Sequence, residues 1–186
     1  MKTIIVTGMP GAGKEELLQV ADSMGIPFCR MGDMVREAYA AATPSMTLGE
    51  YASSQRAEFG KDIWAKRTME RMSGDVFLVD GCRSMDEIES FRNLCAEVVI
   101  MAVHAPPVCR YGRLVERGRE DAPKNMDEFV ERDRREIGWG ISEVIALADI
   151  MLVNDGSLGD FRRIAREAVE GLRRDSPPPA SAAGNR

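Results

Sequence analysis

Seven residues near the start of the chain, Gly8-Met9-Pro10-Gly11-Ala12-Gly13-Lys14, restrict its folding more than any other feature. Three glycines and a terminal lysine at this spacing form a Walker A pattern: the glycines let the backbone turn so that successive N–H groups point inward, and the lysine adds a full positive charge. Such a loop functions between a buried strand and a helix N-terminus, whose partial charge faces the same point. Both flanks are present. Residues 3–7 form a β-branched run, and Leu17, Leu18, Ala21 and Met24 recur at helical spacing on one face behind the loop. Strand, phosphate loop and helix are therefore predicted in that order. One departure follows at once. A Ser or Thr hydroxyl that ligates Mg²⁺ normally succeeds the lysine, whereas here Glu15 and Glu16 do. The Glu15 carboxylate either joins the metal or stays in the first helical turn, where the helix dipole also favours it.

The rest of the chain repeats the alternation. Gly25 stops the first helix, residues 26–29 read as a second strand, and apolar runs at 76–79, 98–103 and 150–153 supply three more. Strands alternating with helices predict an α/β fold, a P-loop NTPase with a five-stranded parallel sheet flanked by helices. Helix starts are marked by Thr47 with Glu50, Ser84 with Glu87, Asn125 with Glu128 and Ser157 with Asp160, all at capping-box spacing. Two stretches stand outside the alternation: an insertion at about 34–73, helical throughout, and a lid at about 110–136, dense in arginine and acid. With 186 residues and 44% hydrophobic content, one domain over 1–174 is expected, and 175–186, rich in Pro, Ser, Ala and Gly, is expected to be a disordered tail.

Composition removes several function classes. A net charge of -5 argues against nucleic acid as a partner, since phosphate-backbone binding needs a basic surface. No run is apolar and long enough to span a bilayer, so no membrane association is expected, and the N-terminal run is too short for a signal peptide. Cys29, Cys82, Cys95 and Cys109 lie far apart with a single histidine, His104, which predicts free thiols, no zinc site and a reducing cytoplasm. His104 receives no chemistry, and Trp64 and Trp139 read as core or lid packing.

Several segments resemble the adenylate-kinase-like phosphotransferases. Gly-x-Pro-Gly-x-Gly-Lys opens that family as Gly8 to Lys14 open this chain. Gly32-Asp33-Met34-Val35-Arg36 is similar to its Gly-Asp-x-x-Arg segment, and Val79-Asp80-Gly81-Cys82-Arg83 to its strand-end Asp-Gly-x-Pro-Arg segment, one residue shorter and without the proline. Ala148-Asp149-Ile150-Met151-Leu152-Val153-Asn154-Asp155-Gly156-Ser157 resembles the last strand and turn of dephospho-coenzyme A kinases. From residue 3 to about 161 the chain resembles an archaeal family of uncharacterised nucleotide-kinase-like proteins, in which Met-Gly-Asp, Asp-Gly-x-Arg-Ser and Arg-Asp-x-Arg-Glu recur.

The resemblance implies ATP and Mg²⁺ as cofactors and a small acceptor bearing a phosphate or a hydroxyl. It implies that Gly8, Met9, Pro10, Gly11, Ala12, Gly13, Lys14, Glu15 and Asn154 hold the nucleotide, and that Asp33, Arg36 and Arg83 hold the acceptor. Asp80, at a strand end, is the candidate Walker B acid and shares the metal with Glu15. Of the lid arginines Arg110, Arg113, Arg117, Arg119, Arg132, Arg134 and Arg135, the candidates for stabilising the moving phosphoryl group are Arg117, Arg119 and Arg132. Interspersed acids such as Glu131 and Asp133 are expected to pair with the others along helix faces. Arg56 has no assigned part. Three functions stay open: a nucleoside-monophosphate kinase, which the segments favour, a hydroxyl kinase of dephospho-coenzyme A kinase type, and a nucleotide-binding regulator with little turnover, for which Glu15 and Glu16 argue.

Lys14→Ala is expected to weaken nucleoside-triphosphate binding at least about tenfold, because a charge-assisted contact disappears. Lys14→Arg is expected to bind poorly as well, since a planar guanidinium does not replace an enclosed point charge. Isothermal titration calorimetry of both variants is the check, and unchanged affinity would remove the phosphate-loop reading.

Overall fold

The computed structural model describes residues 1–118 and 122–174. In chain order the elements are β1 (Lys2–Thr7), α1 (Lys14–Ser23), β2 (Phe28–Arg30), α2 (Met31–Ala42), α3 (Leu48–Phe59), α4 (Ile63–Met69) and β3 (Val76–Asp80). They continue as α5 (Met85–Leu94), β4 (Glu97–His104), α6 (Pro107–Arg117), α7 (Met126–Gly138), α8 (Ile141–Ala146), β5 (Ile150–Val153) and α9 (Leu158–Arg174).

The sheet forms because β1 has no polar face. Its six residues are all buried, and such a strand must be covered on both sides. Ile4 and Val6 pack into one core with Leu17 and Leu18 of α1 and Phe161, Ala165 and Val169 of α9. Ile5, pointing the opposite way, joins a second core with Met34, Trp64, Ile88, Phe91 and Val144. Period-2 alternation along one strand thus organises two layers of helices. The sheet order is β2-β3-β1-β4-β5, every neighbouring pair parallel. β1 sits in the centre, with Val6 level with Asp80 of β3 and Met101 of β4.

The second strand lies later than residues 26–29. Pro27 has no N–H to give the ladder; its carbonyl accepts from Leu78 N at 3.0 Å, and pairing begins at Phe28. The stretch 34–73, expected to be helical throughout, is carried by three helices, α2, which begins at Met31, α3 and α4. Thr43, at φ 44°, and Gly60, at φ 101°, end the first two. Helix α8 lies outside the predicted elements; it follows Gly140, at φ 102°.

All four cap residues act as predicted, with variations. Thr47 and Glu50 form the reciprocal capping box. Ser84 accepts from Glu87 N at 3.3 Å, but the Glu87 carboxylate turns to Arg83 N at 2.7 Å and Arg56 at 3.0 Å. Asn125 accepts from Glu128 N and Ser157 from Asp160 N. The four cysteines are free thiols, and among the described residues no helix is long and apolar enough to cross a membrane.

Trp64 is the keystone of the insertion. It is fully buried, its ring centroid lies 6.3 Å from that of Tyr51, and its Nε1 donates to Ala52 O at 3.3 Å. Trp64→Ala should lower the unfolding free energy by about 3–5 kcal/mol, the usual result of emptying an aromatic site in a packed core. Denaturant titration followed by circular dichroism is the measurement; a loss below about 1 kcal/mol would show that the insertion is not part of the cooperative core.

Candidate functional site

Parallel pairing places the C-terminal ends of β1 and β3 side by side, so the loop after Thr7 and the Asp80 carboxylate open onto one cavity of about 730 Å³. Gly8, Pro10, Gly11, Gly13, Lys14 and Glu15 line it from the loop, Asp80 and Arg83 from the end of β3, Arg30 and Arg36 from the segment around β2 and α2, Arg113 and Arg117 from α6, Arg132 and Glu136 from α7, and Asn154 from the end of β5. Crevices beyond the carboxyl ends of parallel strands are the usual ligand sites of open α/β sheets.

The loop is held by its neighbours. Gly13, N-cap of α1, has φ 108°, and a Cβ there would lie 2.1 Å from Asn154 Nδ2. That amide donates to Ala12 O at 2.8 Å, and its Oδ1 accepts from Arg113 Nη2 at 3.2 Å. A Cβ on Gly8, at φ 140°, would strike Val103 O at 2.3 Å. Glycine is required at both positions by close backbone approach as well as by φ. Lys14 Nζ donates to Gly8 O at 2.6 Å, so its ammonium is drawn over the loop. Surrounding protein strips water from that ammonium and lowers its pKa, against the raising fields of Asp80 and Glu136.

Asp80 faces the same ammonium. Burial raises its pKa, while Lys14 and Arg83 pull it down. Its Oδ1 is buried without a hydrogen-bond partner. A lone carboxylate oxygen beside a phosphate loop fits Mg²⁺, which takes one or two protein carboxylates and completes its shell with water and substrate phosphates. No cluster of three or more metal-ligating side chains exists among the described residues, and such a site does not need one. Glu15 is drawn elsewhere: its Oε1 accepts from Arg30 at 2.6 Å.

The acceptor candidates separate. Arg36 lines the cavity but is half exposed and paired with Asp33, which also lies 3.9 Å from Arg30. Asp33 therefore stands behind the arginines, away from the cavity lining. Arg83 donates through Nε to Glu136 Oε2 at 2.5 Å and through Nη1 to Gly81 O at 3.2 Å. Burial alone would raise the Glu136 pKa; Arg83, Lys14 and Arg132 together hold it below the ordinary carboxylate range.

The lid arginines divide in the same way. Arg117 and Arg132 reach the cavity and have partners, whereas Arg119 lies outside the described residues, as do 120–121 and the expected tail 175–186. Arg110 does not face the cavity: it is buried, forks onto Asp133 at 2.8 and 2.6 Å, and ties α6 to α7. Arg135 lies over the Trp139 ring, which also contacts Arg56 and Arg83, so Trp139 packs among guanidinium groups. Arg56 pairs with buried Glu87. His104 is exposed at the end of β4, and its carbonyl accepts from Asn154 N. Sequence reasoning named Arg113 only as one of the lid arginines and did not place Arg30 or Glu136 at the site. Glu136 could have been flagged because it lies one turn after Arg132, on the same helix face.

The loop, the switch of strand order around it and the two layers of helices define a P-loop protein of the kinase-like fold. The chain belongs to the UPF0200 protein family: it is 43% identical over 171 residues to the Thermoplasma volcanium member, covering 89% of this chain and 95% of that one. It is 44% identical over 176 residues to the member from Hyperthermus butylicus, covering 91% and 94%. A family model described as an AAA domain matches residues 4–137. Among solved structures, shikimate kinase from Acinetobacter baumannii superposes with TM-score 0.60 at 12% identity, covering 93% of both chains. A gluconokinase from Sinorhizobium meliloti gives TM-score 0.59 at 14% identity, covering 94% of both. These two likenesses establish the fold.

Because Arg30 holds the Glu15 carboxylate, Glu15→Ser is expected to leave the Mg²⁺ dependence of nucleotide binding superimposable on that of the wild type. A magnesium titration of binding checks this, and a displaced curve would make Glu15 a metal ligand.

Proposed function

We propose that this protein is an ATP-dependent phosphotransferase of nucleotide-kinase type, which moves the γ-phosphate of ATP to a small nucleotide-like acceptor, a nucleoside monophosphate standing first. The observation that carries the reading is one cavity in which a phosphate loop, the unpartnered Asp80 Oδ1 and arginines from four separate segments converge. A simple nucleotide switch has no need of cations on the side away from its own phosphate loop.

In this reading the loop amides and Lys14 hold the β- and γ-phosphates. Asn154 keeps the loop in shape through Ala12 O and borders the end of the cavity nearest β5. Asp80 would hold Mg²⁺, which when bound neutralises charge on the triphosphate. Arg117 and Arg132 approach from the lid, where charge spreads over the transferring group. Arg36, with Asp33 behind it, anchors the acceptor phosphate. Arg83 faces the acceptor close to Lys14. Transfer is direct, so positioning, charge neutralisation and exclusion of water carry the rate. The regulator reading loses its main support, since the Arg30 guanidinium offsets the Glu15 charge that would repel phosphate.

A hydroxyl acceptor is the second reading. It draws on the Arg83–Glu136 pair and on the fold shared with a shikimate kinase and a gluconokinase. The test is a transfer screen with γ-labelled ATP across nucleoside monophosphates and dephospho-coenzyme A. Label on any of them is the expected outcome, and intact ATP binding with no transfer to any acceptor would sink the phosphotransferase reading.

A further inference from the structure

Glu136 is a cavity carboxylate to which the first reading above gives no work. It is 5% exposed and projects from α7 beside Arg132, one turn away on the same helix. Its Oε2 accepts a hydrogen bond from Arg83 Nε at 2.5 Å. Arg83 is fixed from three sides. Its backbone N donates to Glu87 Oε2 at 2.7 Å, its Nη1 donates to Gly81 O at 3.2 Å, and its guanidinium lies 5.3 Å from the Trp139 ring centre. The guanidinium and the carboxylate are thus presented together as a preorganised pair. The pair lines the same cavity as Lys14, Asp80 and Arg132, and its charges act on the Lys14 ammonium.

A phosphate group brought to this pair would place up to two negative charges beside the Glu136 carboxylate, in a site poor in water where like charges repel strongly. The charge of Arg83 is already offset. A hydroxyl meets no such conflict, because it accepts from the guanidinium through its oxygen and donates its hydrogen to the carboxylate.

We infer that Arg83 and Glu136 form a hydroxyl subsite beside Lys14, and that Glu136 determines which group of the acceptor is phosphorylated: a hydroxyl of a nucleotide-like molecule, with its phosphate held elsewhere, at Arg36. The inference rests on the phosphotransferase reading and, within it, selects the hydroxyl acceptor over the phosphate of a nucleoside monophosphate. In the step, the acceptor hydroxyl oxygen bonds to the γ-phosphorus of ATP. The bond from that phosphorus to the β–γ bridging oxygen breaks and leaves its electron pair on ADP. The hydroxyl proton passes to Glu136 and then to solvent.

The experiment uses the full chain with γ-³²P-ATP, magnesium and, in turn, adenosine monophosphate and dephospho-coenzyme A, followed by heating the labelled product in dilute acid. A phosphate ester on a hydroxyl keeps its label, whereas a phosphoanhydride on a phosphate loses it. Acid-stable label is expected. Acid-labile label on the monophosphate overturns this inference and leaves the phosphotransferase reading standing, while absence of label on both acceptors overturns the two together. Glu136→Gln keeps the size of the side chain and an oxygen for Arg83 Nε. It should lower kcat for the acid-stable product about 100-fold or more, leave ATP affinity within a few-fold, and admit acid-labile transfer to adenosine monophosphate. Glu136→Asp should restore part of the lost kcat, which a merely structural role would not give. Unchanged kcat in Glu136→Gln, with ATP binding intact, removes Glu136 from the subsite; if that variant loses ATP binding, Glu136→Asp is measured against the same criteria.

Discussion

The structure depends on the parallel pairing of β1 with β3. Both strands are central and apolar, and the register that sets Val6 level with Asp80 also sets the end of β1 beside the end of β3. A phosphate loop can leave only from the first of these ends, and an acid aimed at its lysine only from the second. Had β1 neighboured β2 instead, the Lys14 ammonium would lie two strand positions, roughly 10 Å, from the Asp80 carboxylate. The electrostatic coupling that now links them would be weakened by the greater distance. Burial on both faces makes this register hard to slip, since a shift of one residue would exchange the two cores built around Ile4 and Ile5.

Around this frame the protein handles a large number of cations by assigning each a neighbour. Arg110 is paired with Asp133, which joins α6 to α7, and it also donates to the Pro10 carbonyl of the phosphate loop. Arg30 answers Glu15, Arg56 answers Glu87, and Arg83 answers Glu136. Arg113 differs. Its bonds run to the carbonyls of Ala12 and Asn154 and to the Asn154 side chain, so its charge is held in place by neutral dipoles. A guanidinium so held tightens the phosphate loop against β5 without cancelling the positive field that the loop presents. Trp139 spaces three guanidinium groups from one another, its ring offering an attractive face where a second carboxylate would have added charge.

Much of this was legible in the chain itself. The loop, its flanking strand and helix, the five-stranded parallel sheet and the four helix caps follow from local rules: β-branched runs, glycine positions, and side-chain oxygens three residues before an acid. Local rules also explain the errors. Pro27 shifted β2 because a missing N–H matters only once a partner strand exists. Thr43, in the left-handed region at the end of α2, leaves little trace in composition, so only the Thr47 cap marks the break before α3 in the sequence. Glu87 answered its cap only by half, since Arg56 and the Arg83 backbone, both set by tertiary packing, compete for its carboxylate.

By itself, then, the sequence determined that this chain has a phosphate loop on an α/β sheet, because a strand, three glycines and a lysine act within a dozen consecutive residues. Only the tertiary structure decided which charges meet which. Arg110 and Arg132 look alike in the sequence, and Glu15 and Glu136 do as well. One arginine is buried against Asp133 while the other reaches the cavity, and one glutamate faces Arg30 while the other faces Arg83. Coulomb energies depend on distance and on local water, and neither is written along the chain; both appear only when helices far apart in sequence are packed against a common sheet.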